Sequence, residues 1–357
     1  MKRHQGSFWS FLFIFLVAIS NGCDNNGGNP SKACTSSSFF RGFAYSPKGF
    51  PITYDKTPEF FAEVRDMPAN VGVMFNGSWR DDAVNGSDAG QVPEAATLIQ
   101  DQASTYCYTP VTVFGWRSGS TLYIKVPGNP TNNWTNTEAK NRFQTMLTTF
   151  ASVKRPSYMF LGNENDFYYE QDPLDYLRWI EFYNIAYDAI KIASPATLVG
   201  PVFNFEHLSG NGALNGWSAP LFEALDQHDM TRVDVIGISL YPFFHYASTS
   251  NVPVNYLDPL FSRIGSKPIA VTETGWPAQN LGNLNPPWVT SEEEQLNYIS
   301  KLSSMIDGKD VRFANWLFLH ALQDDGTSSI AWKIAGSISL RNDLGLERPS
   351  YDLWIPP

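Results

Sequence analysis

From Phe39 onward the chain returns eight times to a short apolar run rich in β-branched and aromatic residues, with a longer helical or loop stretch between successive returns. The runs are FFRGFAYS, NVGVMFN, PVTVFGW, SYMFLGNE, TLVGPVFN, VDVIGISLY, PIAVTETG and FANWLFLH. Strands spaced by helices are too far apart for tight hairpins, so they pair in parallel with helices covering the sheet. Eight such units suit an α/β fold of one kind, the closed (β/α)8 TIM barrel, as a single domain over residues 39–357. A doubly wound open sheet would advertise a glycine-rich nucleotide loop after its first strand, and none follows FFRGFAYS.

Two helices are legible between the runs. In PLDYLRWIEFYNIAYDAIKIAS, Leu174, Leu177, Ile180, Ile185 and Ile190 recur at helical intervals, and Ser194-Pro195 stops the helix. In SEEEQLNYISKLSSMI, Ser291 is placed to cap and Glu294 to complete a capping box. The sixth run is a test of the barrel, because alternate residues of a barrel strand face lumen and helices. Ile236, Ile238 and Leu240 share one face, expected under the helices; Gly237, Ser239 and Tyr241 share the other, with Tyr241 at the carboxyl end where barrel active sites lie.

Hydrophobic residues make up 43% of the chain and charged ones 17%, a globular balance. A formal net charge of -10 argues against a duplex nucleic-acid partner, which needs clustered Lys and Arg. A neutral, sugar-like ligand fits better, and 15% aromatics with 11 Trp supply faces that pack on sugar rings, although most such rings fill cores. The three cysteines, Cys23, Cys34 and Cys107, form no CxxC pair or Cys/His cluster, so neither a metal nor a cofactor is expected. An oxidising compartment would permit a Cys34 to Cys107 bridge.

The amino terminus points to such a compartment. Lys2, Arg3 and His4 precede the apolar run Phe8 to Ile19, too short to span a bilayer comfortably, and SNGC follows. Residues 1–22 read as an export signal. Gly22 and Cys23 resemble the end of a bacterial lipoprotein signal, which implies lipidation of Cys23; Ser20 departs from the usual aliphatic residue. Residues 23–38, rich in Asn, Gly and Ser, suit a flexible tether. The expectation is an exported monomer whose membrane contact runs through a lipid anchor, or a freely secreted one.

Two acids end two of the runs. Glu164 closes FLGNE and Glu273 lies in PIAVTETGWP, where Ile269, Val271 and Glu273 share a face by simple alternation. At the ends of the fourth and seventh strands both can project into one barrel mouth. Paired carboxylates, one protonated and one ionised, are the equipment of retaining glycosidases.

GNE and TETGWP resemble the acid/base and nucleophile signatures of the retaining glycosidase clan built on (β/α)8 barrels, clan A. ETGWP is similar to the nucleophile segment of family 17 β-1,3-glucanases, and DVIGISLYPFFH to the sixth strand of family 53 endo-β-1,4-galactanases. GLERPSYDLW resembles the tail that follows strand eight in relatives. The resemblance implies that Glu164 is the general acid/base and Glu273 the nucleophile, with Asn163 contacting the sugar 2-hydroxyl and Tyr241 holding Glu273 ionised. It makes Trp316 the platform beneath the reacting sugar. Trp79, Trp116, Trp134 and Trp276, in strand-end loops, are candidates for further subsites. Regular alternation sends Asn163 and Glu164 to opposite faces, so an irregularity is expected there. His207 and His245 read as structural or substrate-adjacent, and NGSW, NGSD and NWTN match glycosylation acceptor patterns.

The implied activity is endo-hydrolysis of a β-linked glucan or galactan through a covalent glycosyl-enzyme. A β-glucan transglycosylase and a non-catalytic carbohydrate-binding barrel on a lipoprotein are the alternatives.

Overall fold

The computed structural model describes residues 40–68, 70–78, 92–279, 286–324 and 329–355. The export signal, Cys23, the tether with Cys34, and Trp79 lie outside the described residues. Cys107 is disulfide-bonded, its partner lying outside them too.

All eight expected runs form strands: β1 (Arg41–Ala44), β2 (Gly72–Ser78), β3 (Thr109–Gly115), β6 (Tyr158–Leu161), β7 (Leu198–Gly200) with β8 (Val202–Asn204), β9 (Ile236–Leu240), β10 (Ile269–Thr274) and β11 (Val311–Phe318). A small antiparallel pair, β4 (Arg117–Ser118) and β5 (Thr121–Leu122), follows β3. The large sheet runs β7-β6-β3-β2-β1-β11-β10-β9-β8, every ladder parallel. Its two edges are halves of one stave, divided at Pro201, which has no N–H to donate to a ladder. β7 pairs with β6 and β8 with β9, and the Pro201 carbonyl accepts from Gly237 N at 2.8 Å, so the ring closes.

Inside the barrel, large rings need small partners. Tyr158 and Phe313 meet at 4.9 Å between ring centroids, and Phe160 lies against Phe313. Gly237 faces them: a Cβ there would press on Phe160 and Val202. The expected division of the sixth strand therefore holds, with Ile236, Ile238 and Leu240 also fully buried.

The helices follow local signals with two departures. Pro173–Ala193 starts on Asp172, whose side chain accepts from Asp175 N at 2.9 Å, and ends at Ser194 as expected. Its buried stripe, however, is Tyr176, Trp179, Ile180, Tyr183, Tyr187 and Ile190; Leu174, Leu177 and Ile185 are exposed. Rings with more apolar area won the inward face from the aliphatics. Glu292–Ile306 is capped by Ser291, which accepts from Glu294 N at 3.1 Å. The Glu294 carboxylate does not fold back to complete the box; it accepts from Thr249 N at 2.7 Å and Ser248 Oγ at 2.9 Å, fastening a neighbouring loop.

Candidate active site

Strand β6 ends at Leu161, and the chain then breaks regular geometry twice. Gly162 takes φ +78° and Glu164 takes φ +50°, the left-handed region. Gly162 has no substitute here, since a Cβ would overlap the Asn165 amide. Glu164 in this conformation is strained by about 1–3 kcal/mol, a cost typical of functional positions. The break lets adjacent residues serve one site: Asn163 hydrogen-bonds Glu273 while the Glu164 carboxyl accepts from Asn204 Nδ2 at 2.9 Å.

Glu273 reaches the lumen by a second irregularity. Ala270 pairs with Gly237 and Val271 with Ile238, but Glu273, not Thr272, pairs with Ser239. The extra residue is a β-bulge that re-aims everything after it. Ile269 and Val271 therefore face outward beside Ile236 and Ile238, and Glu273 faces inward; the shared face expected from alternation is corrected by one inserted residue. Thr272 Oγ1 secures the bulge by donating to the Ile238 carbonyl at 3.1 Å.

The two carboxyls are buried, at 6% and 3% exposure, but differently dressed. Glu273 accepts hydrogen bonds from Tyr241 Oη at 2.9 Å, from Asn76 Nδ2 and from Asn163. Burial raises its pKa to about 7 against those three donors, which favour its anion. Glu164 is pushed up to about 8 by burial, by the Glu273 charge and by Asp166, with Asn204 and Arg117 opposing. Three donors against one settle the order: Glu273 ionises first and Glu164 keeps the proton. Arg117, partly buried, donates to the Glu164 carbonyl at 3.1 Å.

Several contributors escaped the sequence reading. Asn76 begins NGSW and matched a glycosylation pattern; it is in fact a buried strand-end amide on Glu273. Asn204 ends β8 just as Glu164 follows β6, a polar residue closing an apolar run, and that signal was available. Glu206 is buried behind Tyr241, accepting from its backbone N at 2.8 Å and from Tyr256 Oη at 3.2 Å; burial pushes it up to about 8.

The tryptophans fall elsewhere than expected. Trp316 pairs with Phe43 on the outer face of the barrel, fully buried, its ring against Trp354 and its Nε1 donating to the Ile338 carbonyl at 2.6 Å. A register shift past this point sets Phe318, rather than Leu317, beside Ala44. Trp116 and Trp134 are also buried, packed with Trp179 at 4.7–5.0 Å between ring centroids. Trp276 is buried against Phe243, its Nε1 on the Val289 carbonyl at 2.8 Å. None of these four offers a face to substrate; their apolar area is larger than their use as platforms, and packing claimed them. His207 is structural, bound to Asp166, and His245 Nδ1 lies 3.4 Å from Ala213 N.

A model of glycosyl hydrolase family 53 matches residues 139–307, which include Glu164, Asn204, Tyr241 and Glu273 but not Asn76 or Arg117. No curated protein matches the chain. Among solved structures, it is similar to an exo-beta-1,4-mannosidase from Opitutaceae bacterium strain TAV5 (12% identity, TM-score 0.61), covering 89% of this chain and 58% of that one. It is similar to a family 39 glycoside hydrolase from the gut symbiont Bacteroides cellulosilyticus WH2 (19%, 0.55), covering 88% and 62%. It is also similar to the family 53 glycoside hydrolase catalytic domain of Ignisphaera aggregans (14%, 0.59), covering 91% and 98%. The chain thus spans about three fifths of the length of the first two and nearly all of the third. The resemblance to glycosidases built on (β/α)8 barrels is matched by the family model over residues 139–307 and by the barrel itself.

Proposed function

We propose that this chain is a retaining glycoside hydrolase that cuts inside β-linked glucan or galactan chains. The observation that carries the reading is the unequal dressing of two buried carboxyls at one barrel mouth, since a retaining enzyme needs one neutral acid beside one anion. In the first step a Glu273 oxygen attacks the anomeric carbon. The bond to the leaving oxygen breaks as Glu164 gives that oxygen its proton. In the second, Glu164 takes a proton from water, whose oxygen displaces Glu273 and restores both groups. Asn163, already on Glu273, would contact the sugar 2-hydroxyl, as the resemblance implies, and stabilise the charged transition state.

The test is reducing-sugar release from β-1,3-glucan, mixed-linkage glucan, β-1,4-galactan and β-1,4-mannan. One polymer is expected to be cut, with no release by Glu273→Ala and a fall of about 10²–10⁴-fold in Glu164→Ala. Binding without new chain ends would favour the sugar-binding barrel, and products longer than the substrate would favour transglycosylation.

We also read the protein as exported and lipid-anchored at Cys23. Expressed in a bacterium fed labelled fatty acid, it should take up label, and Cys23→Ala should not. A labelled Cys23→Ala protein would sink this reading.

A further inference from the structure

Behind Glu164 lies a charged layer that neither catalytic step uses. Asp166, wholly buried, accepts from His207 Nδ1 at 2.7 Å through Oδ2 and from Asn204 N at 2.8 Å through Oδ1. His207 is buried too, its ring stacked on Phe167 at 4.1 Å, and its Nε2 reaches Glu170 at 3.3 Å. With a carboxylate at each ring nitrogen the imidazole holds both protons, and its pKa is raised to about 9. His207 N also donates to Asn204 Oδ1 at 3.1 Å. That contact dictates which end of the Asn204 amide is which, and so turns Nδ2 onto Glu164.

We propose that Asp166 and His207 are positioning residues for the acid: the pair locks the Asn204 amide against Glu164 and keeps a fixed negative charge behind it. The proposal rests on the glycosidase reading for the role of Glu164, though not for its test. Around Glu164, Glu273 on β10 and Asp166, two residues further along the chain, favour the proton. Asn204 from β8 and Arg117 from β4 favour the anion, with Glu206 and Tyr241 also nearby. Asp166 itself is faced by His207, Arg117 and Tyr176. The Glu273 charge vanishes when it becomes a glycosyl ester, which makes Glu164 a weaker base at the moment it must deprotonate water. Asp166 is consumed in no step. Its charge persists through the intermediate and preserves the basicity of Glu164.

The experiment is a pH titration of the Glu164 carboxyl by carbon-13 NMR in protein labelled at glutamate Cδ, the signal assigned by its loss in Glu164→Gln. In Asp166→Asn the midpoint should fall by about one pH unit, the usual effect of removing a close like charge. His207→Asn keeps a donor toward Asp166 but removes the imidazolium, and its midpoint should stay or rise. No fall in Asp166→Asn, or an equal fall in both variants, overturns the proposal, because loosening of Asn204 alone takes a donor from the Glu164 anion and would raise both midpoints. If Asp166→Asn does not fold, His207→Asn decides alone: a fall overturns, an unchanged or higher midpoint supports. The titration needs no substrate, so a protein silent on every polymer would count against the glycosidase reading and leave this result standing.

Discussion

Tyr241 shows how much one hydroxyl can set. It is buried, its own pKa held well above the usual phenol value by burial and by the Glu273 charge, so it remains a donor wherever the enzyme works. Its bond to the Glu273 oxygen stabilises the anion. In Tyr241→Phe that donor is gone and the proton binds Glu273 more tightly, so the acid limb of the kcat/KM profile should move to higher pH by one or two units. The loss near neutrality should be about 10–100-fold, the worth of a hydrogen bond to a charged group. An unmoved acid limb would mean that Asn76 and Asn163 hold the charge without help. In the wild-type protein the acid limb should report Glu273, raised to about 7, and the alkaline limb Glu164, raised to about 8. Activity should therefore peak in a narrow band near neutrality.

At the scale of elements, strand existence was legible and strand geometry was not. Alternating apolar runs mark where a strand lies, because burial on a pleated surface has a period of two. They do not mark an inserted residue, since a bulge is a property of two strands in register rather than of one. This is why Glu273 was assigned the wrong neighbours while its place at a strand end was right. Trp316 is a different case: counted from Phe313 inside the barrel, plain alternation already turns it outward, and the register shift falls only after it. The sharp turn at Gly162 and Glu164 could be anticipated, because two adjacent functional residues cannot share a face of a regular strand. Side-chain chemistry at strand ends was half legible: acids stand out, but amides such as Asn76 and Asn204 look like turn residues. The buried tryptophans give a direct check. Trp134→Ala should cost about 3–5 kcal/mol of stability through the cavity it leaves among Trp116, Trp179 and Phe182. KM of the folded fraction should not change; a raised KM would return that cluster to the substrate site.

For the whole molecule, the mouth concentrates groups whose folded forms bind protons tightly. Glu164 and Glu206 are raised to about 8, Glu273 to about 7 and His207 to about 9. A group with a raised folded pKa contributes its full stability below the unfolded value and loses it as pH climbs through the folded one. For the carboxyls that window opens near 4.5 and closes near 8; for His207 it runs from 6.5 to about 9. The protein should thus be most stable on the acidic side of its activity band. Glu206→Gln, which can still accept from Tyr241 N, should melt several degrees above wild type at pH 9 and close to it at pH 5, read by calorimetry at both. Equal shifts at the two pH values would mean that Glu206 titrates alike in the folded and unfolded states. The same crowding bears on ancestry. Glu164 combines a left-handed backbone with a desolvated carboxyl, so heat alone, acting on a population of variants, would favour glycine there and drift toward an inert, sturdier barrel. Under the proposed activity, a lineage that retains Glu164 must be tested in every generation by what it digests.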